Sequence, residues 1–313
     1  MPALAGDTKT VAHDISSNAL IAGASFGPGP NRAVLWDYRT GPVALGLLPG
    51  TTESVAYGVS SASTTVGAAS GPSGPRPFVW RPGATIQALP FPSNLNRGAA
   101  LSVNENDVIV GWAGLANVRL PALWSRDAVG FQALLLPRLP GGRNGEARRI
   151  NGEGLITGWS GSLLGQRAVL WFGHSAPIDL GILPGFTASA GHGVNELGHV
   201  VGSLSGPTGQ RPFLWSDPHG MRLLPLPPGM SEGWATDVAN DGTVVGTGVH
   251  ANGQKYAIVW IEGTPFYANL LVTRQRTSFR VFEANAINDL GRIAMNWATG
   301  SRPISGAIGV LVR

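Results

Sequence analysis

Two histidines, two adjacent arginines, two aspartates and a tyrosine stand at matched places in a chain of 313 residues. Two positions before the Ile or Val of a recurring apolar strand come His13, Tyr57, Leu101, Arg148, His192, Thr236 and Asn285. One position before it come Asp14, Gly58, Ser102, Arg149, Gly193, Asp237 and Ala286. Imidazoles can give and take protons, and paired guanidiniums can hold an anion. Packing alone would favour repetition at such positions, so their variety points to a ligand or to solvent. The ligand reading gathers His13, Asp14, Tyr57, Arg148, Arg149, His192 and Asp237, with Trp234 close by, at the mouth of a channel. The other reading is a water-filled channel with an unconstrained lining. No residue is assigned as catalytic.

A second constellation is basic. Arg32, Arg76, Arg119, Arg167, Arg211, Lys255 and Arg302 recur once per repeat, ahead of an apolar strand. Repetition beside core residues favours a structural role, with each cation stacking on an aromatic and tying down loop carbonyls. A ring of anion or sugar contacts is the alternative. Multivalent sugar sites would also need an acid and an exposed aromatic in phase, and neither recurs.

These positions are matched because the chain repeats. Trp36, Trp80, Trp124, Trp171, Trp215 and Trp260 are 44, 44, 47, 44 and 45 residues apart, and Gly23, Gly67, Gly111, Gly158, Gly202 and Gly246 keep step with them. Each repeat holds four strand-sized segments, turn signals and no helical stretch, which is the pattern of a propeller blade. In the fifth repeat the strands are expected at 190–194, 199–203, 211–215 and 221–226. The turns Asn104-Glu105-Asn106-Asp107, Asn151-Gly152-Glu153-Gly154, Asn195-Glu196-Leu197-Gly198, Asn240-Asp241-Gly242 and Asn288-Asp289-Leu290-Gly291 join the first two strands. Each offers too few oxygens for calcium, which takes about six to eight, so these read as turn residues.

The expected fold is all-β: a seven-bladed propeller with four antiparallel strands per blade, occupying 1–313 as a single domain. The repeats run approximately 11–50, 51–96, 97–143, 144–185, 186–229, 230–271 and 272–313. Residues 3–12 align without a gap on 47–56, so residues 1–10 are expected to close the last blade as its missing strand and to remove a free sheet edge. The repeat Trp residues are expected in the core. Trp112, Trp159 and Trp297 follow the second strand in only some repeats and read either as sugar platforms or as packing between blades.

The segments Val194-Asn195, Gly198-His199-Val200-Val201-Gly202, Phe213-Leu214-Trp215 and Leu180-Gly181-Ile182-Leu183-Pro184-Gly185 resemble the HAF-type repeats of bacterial extracellular repeat proteins. The resemblance covers nearly the whole chain, with Arg or Lys standing where the family motif has His. It implies a propeller and export to the periplasm, cell surface or medium, and it implies no reaction.

Composition narrows the remaining classes. With 43 % hydrophobic and 13 % charged residues, the chain can bury a large core. It has no Cys, so it has no disulfide and no thiolate zinc site. His13 and His192 belong to the first and fifth repeats, across the ring from each other, and no nearby spacing supplies a third metal ligand. No metal and no cofactor are expected. The net charge of +4 is spread round the repeats without a basic helix, which disfavours nucleic acid. No apolar run is long enough for a membrane span, and the N-terminus does not read as a signal peptide. Gly158-Trp159-Ser160-Gly161 enters a hairpin, so it is no hydrolase elbow. The expectation is a non-enzymatic binding or scaffolding propeller, monomeric unless built into a larger assembly, with a protein or carbohydrate partner on one face. The alternative is a lyase or hydrolase acting at the channel mouth through His13, His192, Arg148 and Arg149.

Overall fold

A computed structural model of the protein describes residues 1–92, 94–271, 279–299 and 305–310. The described chain is an all-β propeller. Its innermost strands are Lys9–Ile15, Glu53–Val59, Arg97–Val103, Gly145–Ile150, Ala188–Val194, Met230–Val238 and Phe279–Ile287, and each packs beside the next round a central channel. From each, the chain meanders outward through antiparallel strands. In the fifth repeat these are Ala188–Val194, Val200–Gly206, Gly209–Ser216 and Gly220–Leu223, within a few residues of the strands read from the sequence. No described helix is long and apolar enough to cross a membrane.

Six blades have four strands each, not the expected seven. The last repeat forms a three-stranded sheet, Phe279–Ile287, Arg292–Thr299 and Ser305–Val310, set between the sixth blade and the first. The expected closing strand at residues 1–10 is corrected as well. Residues 1–8 form no strand, and the first strand, from Lys9, belongs to the first blade. The reason lies in the register. In three blades the repeat Trp donates its indole N–H to a proline carbonyl just past the preceding blade's fourth strand: Trp124 to Pro90, Trp171 to Pro137 and Trp260 to Pro225, at 2.7, 2.7 and 2.6 Å. Trp36 makes the same bond to Pro2 at 2.8 Å. The N-terminal stretch therefore repeats the connection that follows a fourth strand, not the strand itself. It still ties the ring shut: the Met1 ammonium donates to the Gly306 carbonyl at 2.9 Å, and the Gly306 N–H donates to Thr10 Oγ1 at 2.9 Å.

Packing between blades explains the repeated residues. Trp124, Trp171 and Trp260 are fully buried wedges, each with its one polar atom satisfied by the bond above. At the far end of the innermost strands the turn asparagines form a belt. Asn104 donates to the Asn151 carbonyl, Asn151 to Asn195, Asn195 to Ala239 and Asn288 to Ser16, at 3.0, 2.8, 3.0 and 2.9 Å. The same side chains accept N–H groups within their own turns, as Asn195 Oδ1 does from Leu197 and His199. They are turn residues, as the sequence suggested, and latches between blades besides.

The innermost strands share one irregularity. In every repeat the pairing of the first strand with the second slips by one residue. The residue left over is His13, Tyr57, Leu101, Arg148, His192, Thr236 or Asn285. A bulge of this kind leaves its extra residue out of the ladder and re-aims the side chain. It also explains the repeated glycine opposite. A Cβ on Gly23, Gly67, Gly111, Gly158, Gly202 or Gly246 would lie 1.9–2.2 Å from a carbonyl oxygen of the bulged strand. In the last repeat Met295 takes this place, and there the first strand carries a second slip, between Val281 and Glu283.

Candidate ligand site at the channel mouth

The seven bulged residues line one open cavity of about 340 Å³, together with Glu146, Arg149 and Trp234. An unbroken strand alternates its faces. The bulge breaks that alternation, so that Arg148 and Arg149, though consecutive, both reach the channel. The two rings read from the sequence thus lie at two depths, the bulged residues at the mouth and the next residues below them.

The deeper ring is closed. Arg149 spans the channel, with Nη1 on Asp14 Oδ1 at 2.6 Å and Nη2 on Asp237 Oδ2 at 2.9 Å. Both aspartates are buried and also accept backbone N–H groups of the following repeat: Asp14 from Val59 and Asp237 from Ile287, each at 3.0 Å. Burial opposes charge on Arg149, but Asp14 and Asp237 outweigh it and raise its pKa above the ordinary arginine value. Burial pushes the Asp237 carboxyl up to about 6, against the pull of Arg149. Below this plug a second cavity of about 160 Å³ opens between the turn asparagines. Asp14, Arg149 and Asp237, expected to contact ligand, are chiefly a structural bridge, and only Arg149 also lines the mouth.

The mouth itself divides into two halves. In the fifth, sixth and seventh repeats the bulged side chain donates to the carbonyl just before the next repeat's bulge. His192 Nδ1 bonds to Ala235 O at 2.8 Å, Thr236 Oγ1 to Ala284 O at 2.6 Å and Asn285 Nδ2 to Ala12 O at 2.7 Å. A carbonyl can only accept, so Nδ1 of His192 carries the proton and Nε2 is left as an acceptor, 3.4 Å from the Ser203 hydroxyl. In the other half, His13 and Tyr57 lie with ring centroids 5.3 Å apart and make no hydrogen bond among the described residues, and Leu101 follows them. Arg148 Nε donates to Glu146 Oε1 at 2.9 Å. Arg119 holds Oε2 of the same carboxylate at 2.9 Å, and its guanidinium lies 4.4 Å from the centre of the Trp112 ring.

Burial sets the charge states. It pushes His13 down to about 4, with Glu283 and Asp14 opposing. Burial and the Arg148 charge push His192 down to about 3. Both imidazoles are therefore neutral near pH 7. Burial raises the Tyr57 phenol above its ordinary value. Among the described residues no three His, Asp or Glu side chains group as a metal site.

The basic residues that repeat show no single anchor. Arg32 pairs with Asp7 at 2.8 Å, Lys255 pairs with Glu283 at 3.3 Å and lies 5.4 Å from the centre of the Trp234 ring, and Arg167 donates to the Gln166 carbonyl. Arg211 Nε is buried without a hydrogen bond, Arg76 is half-buried, and Arg302 lies outside the described residues. Among the described ones, Arg119 and Lys255 reach the channel mouth, through Glu146 and Trp234. Sequence reasoning missed Glu146. Its signal was there: two positions before the bulge five of the repeats carry Val, Ala or Trp, and the remaining two carry the acids Glu146 and Glu283.

No known family's sequence pattern matches the chain, and no curated protein is similar to it in sequence. Its fold is shared with solved structures at low identity. The β-propeller domain of the Trilobed protease from Pyrococcus furiosus is 10 % identical, with a TM-score of 0.60 over 98 % of this chain and 94 % of that one. Streptogramin B lyase is 13 % identical, with a TM-score of 0.59 over 98 % and 95 %. YCF48, solved bound to a D1 peptide, is 12 % identical, with a TM-score of 0.59 over 100 % and 94 %. At these identities the likeness speaks to the propeller fold.

Proposed function

We propose that this chain is a non-enzymatic binding propeller that seats a polar group of a protein partner or surface glycan at the channel mouth, and that it works outside the cytoplasm, as the HAF-type resemblance implies. On this reading the ring is a seven-fold one whose last sheet is the three-stranded one. One observation carries the proposal. Seven side chains, one from each repeat and no more than two alike, converge on one cavity, while the residues that hold the blades together repeat. Neutral His13, the Tyr57 phenol and the Arg148 guanidinium offer a donor and acceptor set suited to hydroxyls, amides or an anion. Trp234 offers an aromatic face.

The likenesses to solved structures include both a lyase and a peptide-bound protein, so the fold is compatible with either class. Against a reaction stand the burial and the Arg148 charge that push His192 down to about 3 and make its free Nε2 a weak base, and the engagement of Glu146 by two arginines. The lyase or hydrolase alternative rests on His13 beside Tyr57, two free titratable groups in one pocket. A glycan-array screen at two salt concentrations separates the readings. A hit that survives high salt and is lost in His13→Leu supports the binding site. A blank array with no co-purifying partner, together with turnover of any arrayed sugar, would overturn it in favour of the enzyme.

A further inference from the structure

Beside the channel mouth lies a third cavity, a groove of about 410 Å³ across the second, third and fourth blades. Its functional side chains are Trp112, Trp159, Arg97, Arg119, Asn117 and Asn144. The tryptophans hold equivalent positions in adjacent repeats, directly after the close-packed glycine of the second strand. The other five repeats carry Ala24, Ala68, Ser203, Thr247 and Asn296 there, all buried. Packing between blades is thus met by a small residue, and the large indoles are additions confined to this one junction. Trp112 is buried against Tyr57 and Leu101, with Arg119 over its ring, so it forms the wall between groove and channel mouth. Trp159 is half-buried, with part of its ring open to the groove.

The charge of the groove is one-sided. Among the described residues no Asp or Glu lines it. Arg97, half-buried with Cδ and the Nε edge of its guanidinium across Gly74, makes no hydrogen bond or ion pair among the described residues. Arg119 spends one N–H on Glu146 and leaves the rest of its fork unpaired. Asn117 and Asn144 are exposed amides. An aromatic face, two cations with free forks, two amides and no acid match an acidic sugar: C–H groups of a pyranose on the indole, a carboxylate or sulfate on the guanidiniums, hydroxyls on the amides. The volume falls in the roughly 300–1,000 Å³ range of ligand clefts.

We infer that the groove floored by Trp112 and Trp159 is a binding site for an acidic saccharide residue, with Trp159 as the stacking platform and Arg97 as the anion holder. The site stands on its own whether or not the channel mouth takes a ligand. The probe is oligogalacturonate, titrated against the full chain by calorimetry and tryptophan emission. Its methyl ester keeps the rings and removes the charge, and polyglutamate keeps the charge and removes the rings. A sulfated oligosaccharide tells sulfate from carboxylate preference. Oligogalacturonate should bind, the ester and polyglutamate about tenfold more weakly or not at all, the size of one lost charge-assisted pair or stacking face. Trp159→Ser, which installs the residue of the fifth repeat, and Arg97→Gln should each weaken binding by about tenfold. His13→Leu should leave it within about twofold, which separates this site from the channel mouth. Binding of polyglutamate as tight as that of the sugar would reduce the groove to a charge patch and overturn the assignment. So would binding unchanged in Trp159→Ser, or absent in the unmodified protein.

Discussion

Acidification should unlock the channel mouth, and the effect can be worked from its two histidines. An unfolded histidine titrates near 6.5, whereas His13 and His192 are held down to about 4 and about 3 by burial. A group with a depressed folded pKa takes up its proton first in the unfolded chain. Its stabilising contribution is therefore present above pH 6.5 and is lost as pH falls toward the folded values. Between pH 7 and pH 5 each histidine should cost about 2 kcal/mol, or about 4 kcal/mol together, at about 1.4 kcal/mol per pH unit. Asp237 acts in the opposite sense. Its folded pKa is raised to about 6 from 3.8, so protonation over the same window returns about 1 kcal/mol. The repeats themselves supply a control that keeps the fold. Leu101 occupies the bulge in the third blade, and Asn285 makes in the seventh repeat the bond that His192 makes in the fifth. The double variant His13→Leu/His192→Asn removes both titrations without removing a latch. For a chain of this size, 4 kcal/mol corresponds to about 6 °C in melting temperature. Calorimetric scans at pH 7 and pH 5 should show wild type losing about 6 °C more than the double variant. Parallel losses, within about 1 °C, would refute the claim that the histidines sit neutral in a desolvated ring.

Arg149→Met should destabilise by about 3–5 kcal/mol, because Asp14 and Asp237 would be left buried without their common cation, and denaturant titration at pH 7 and pH 5 should show part of the loss recovered in acid as Asp237 protonates. Gly202→Ala places a Cβ 2.0 Å from the Ala190 carbonyl oxygen and should cost more than about 3 kcal/mol or abolish soluble expression; a melting temperature equal to wild type would mean that the bulge is not as described. Ser63 adopts φ +67° where other turns use glycine, so Ser63→Gly should raise stability by about 1 kcal/mol, seen as a rise of roughly 1–2 °C. Arg211→Met should leave the melting temperature within about 2 °C, since the buried Nε of Arg211 has no bond to lose.

The propeller was legible because its signals are local and repeated. A Trp and a Gly that recur every 44 residues or so announce strands of fixed spacing, and the turns between them carry Asn and Gly in phase. The closing strand was misread because alignment alone does not say which part of a blade is aligned: residues 3–12 do match 47–56, but that stretch is a connection. At the site, the two rings could be found as positions that vary between fixed neighbours. Their division into mouth and plug could not, because a bulge is a property of pairing with another strand, and no single strand's pattern contains it. For the same reason the sequence presents Arg149 as a ligand contact, although its two aspartate partners reach it across the channel from the first and sixth blades. Those partners are 135 and 88 residues away along the chain.

The bulge has a consequence for how such a protein can change. A residue in a ladder answers to two neighbours, and altering it disturbs both. A bulged residue answers to neither, so at His13, which makes no side-chain hydrogen bond among the described residues, one side chain can be exchanged for another with little cost to the blades, whereas Tyr57 and Leu101 still have to cover Trp112. The scaffold and the recognition surface are then separate inheritances. Repeats that drift apart only at this position would yield propellers of similar stability and different tastes, and a library randomised at position 13, with positions 57 and 101 limited to apolar and aromatic residues that still cover Trp112, would sample specificity while leaving the fold alone.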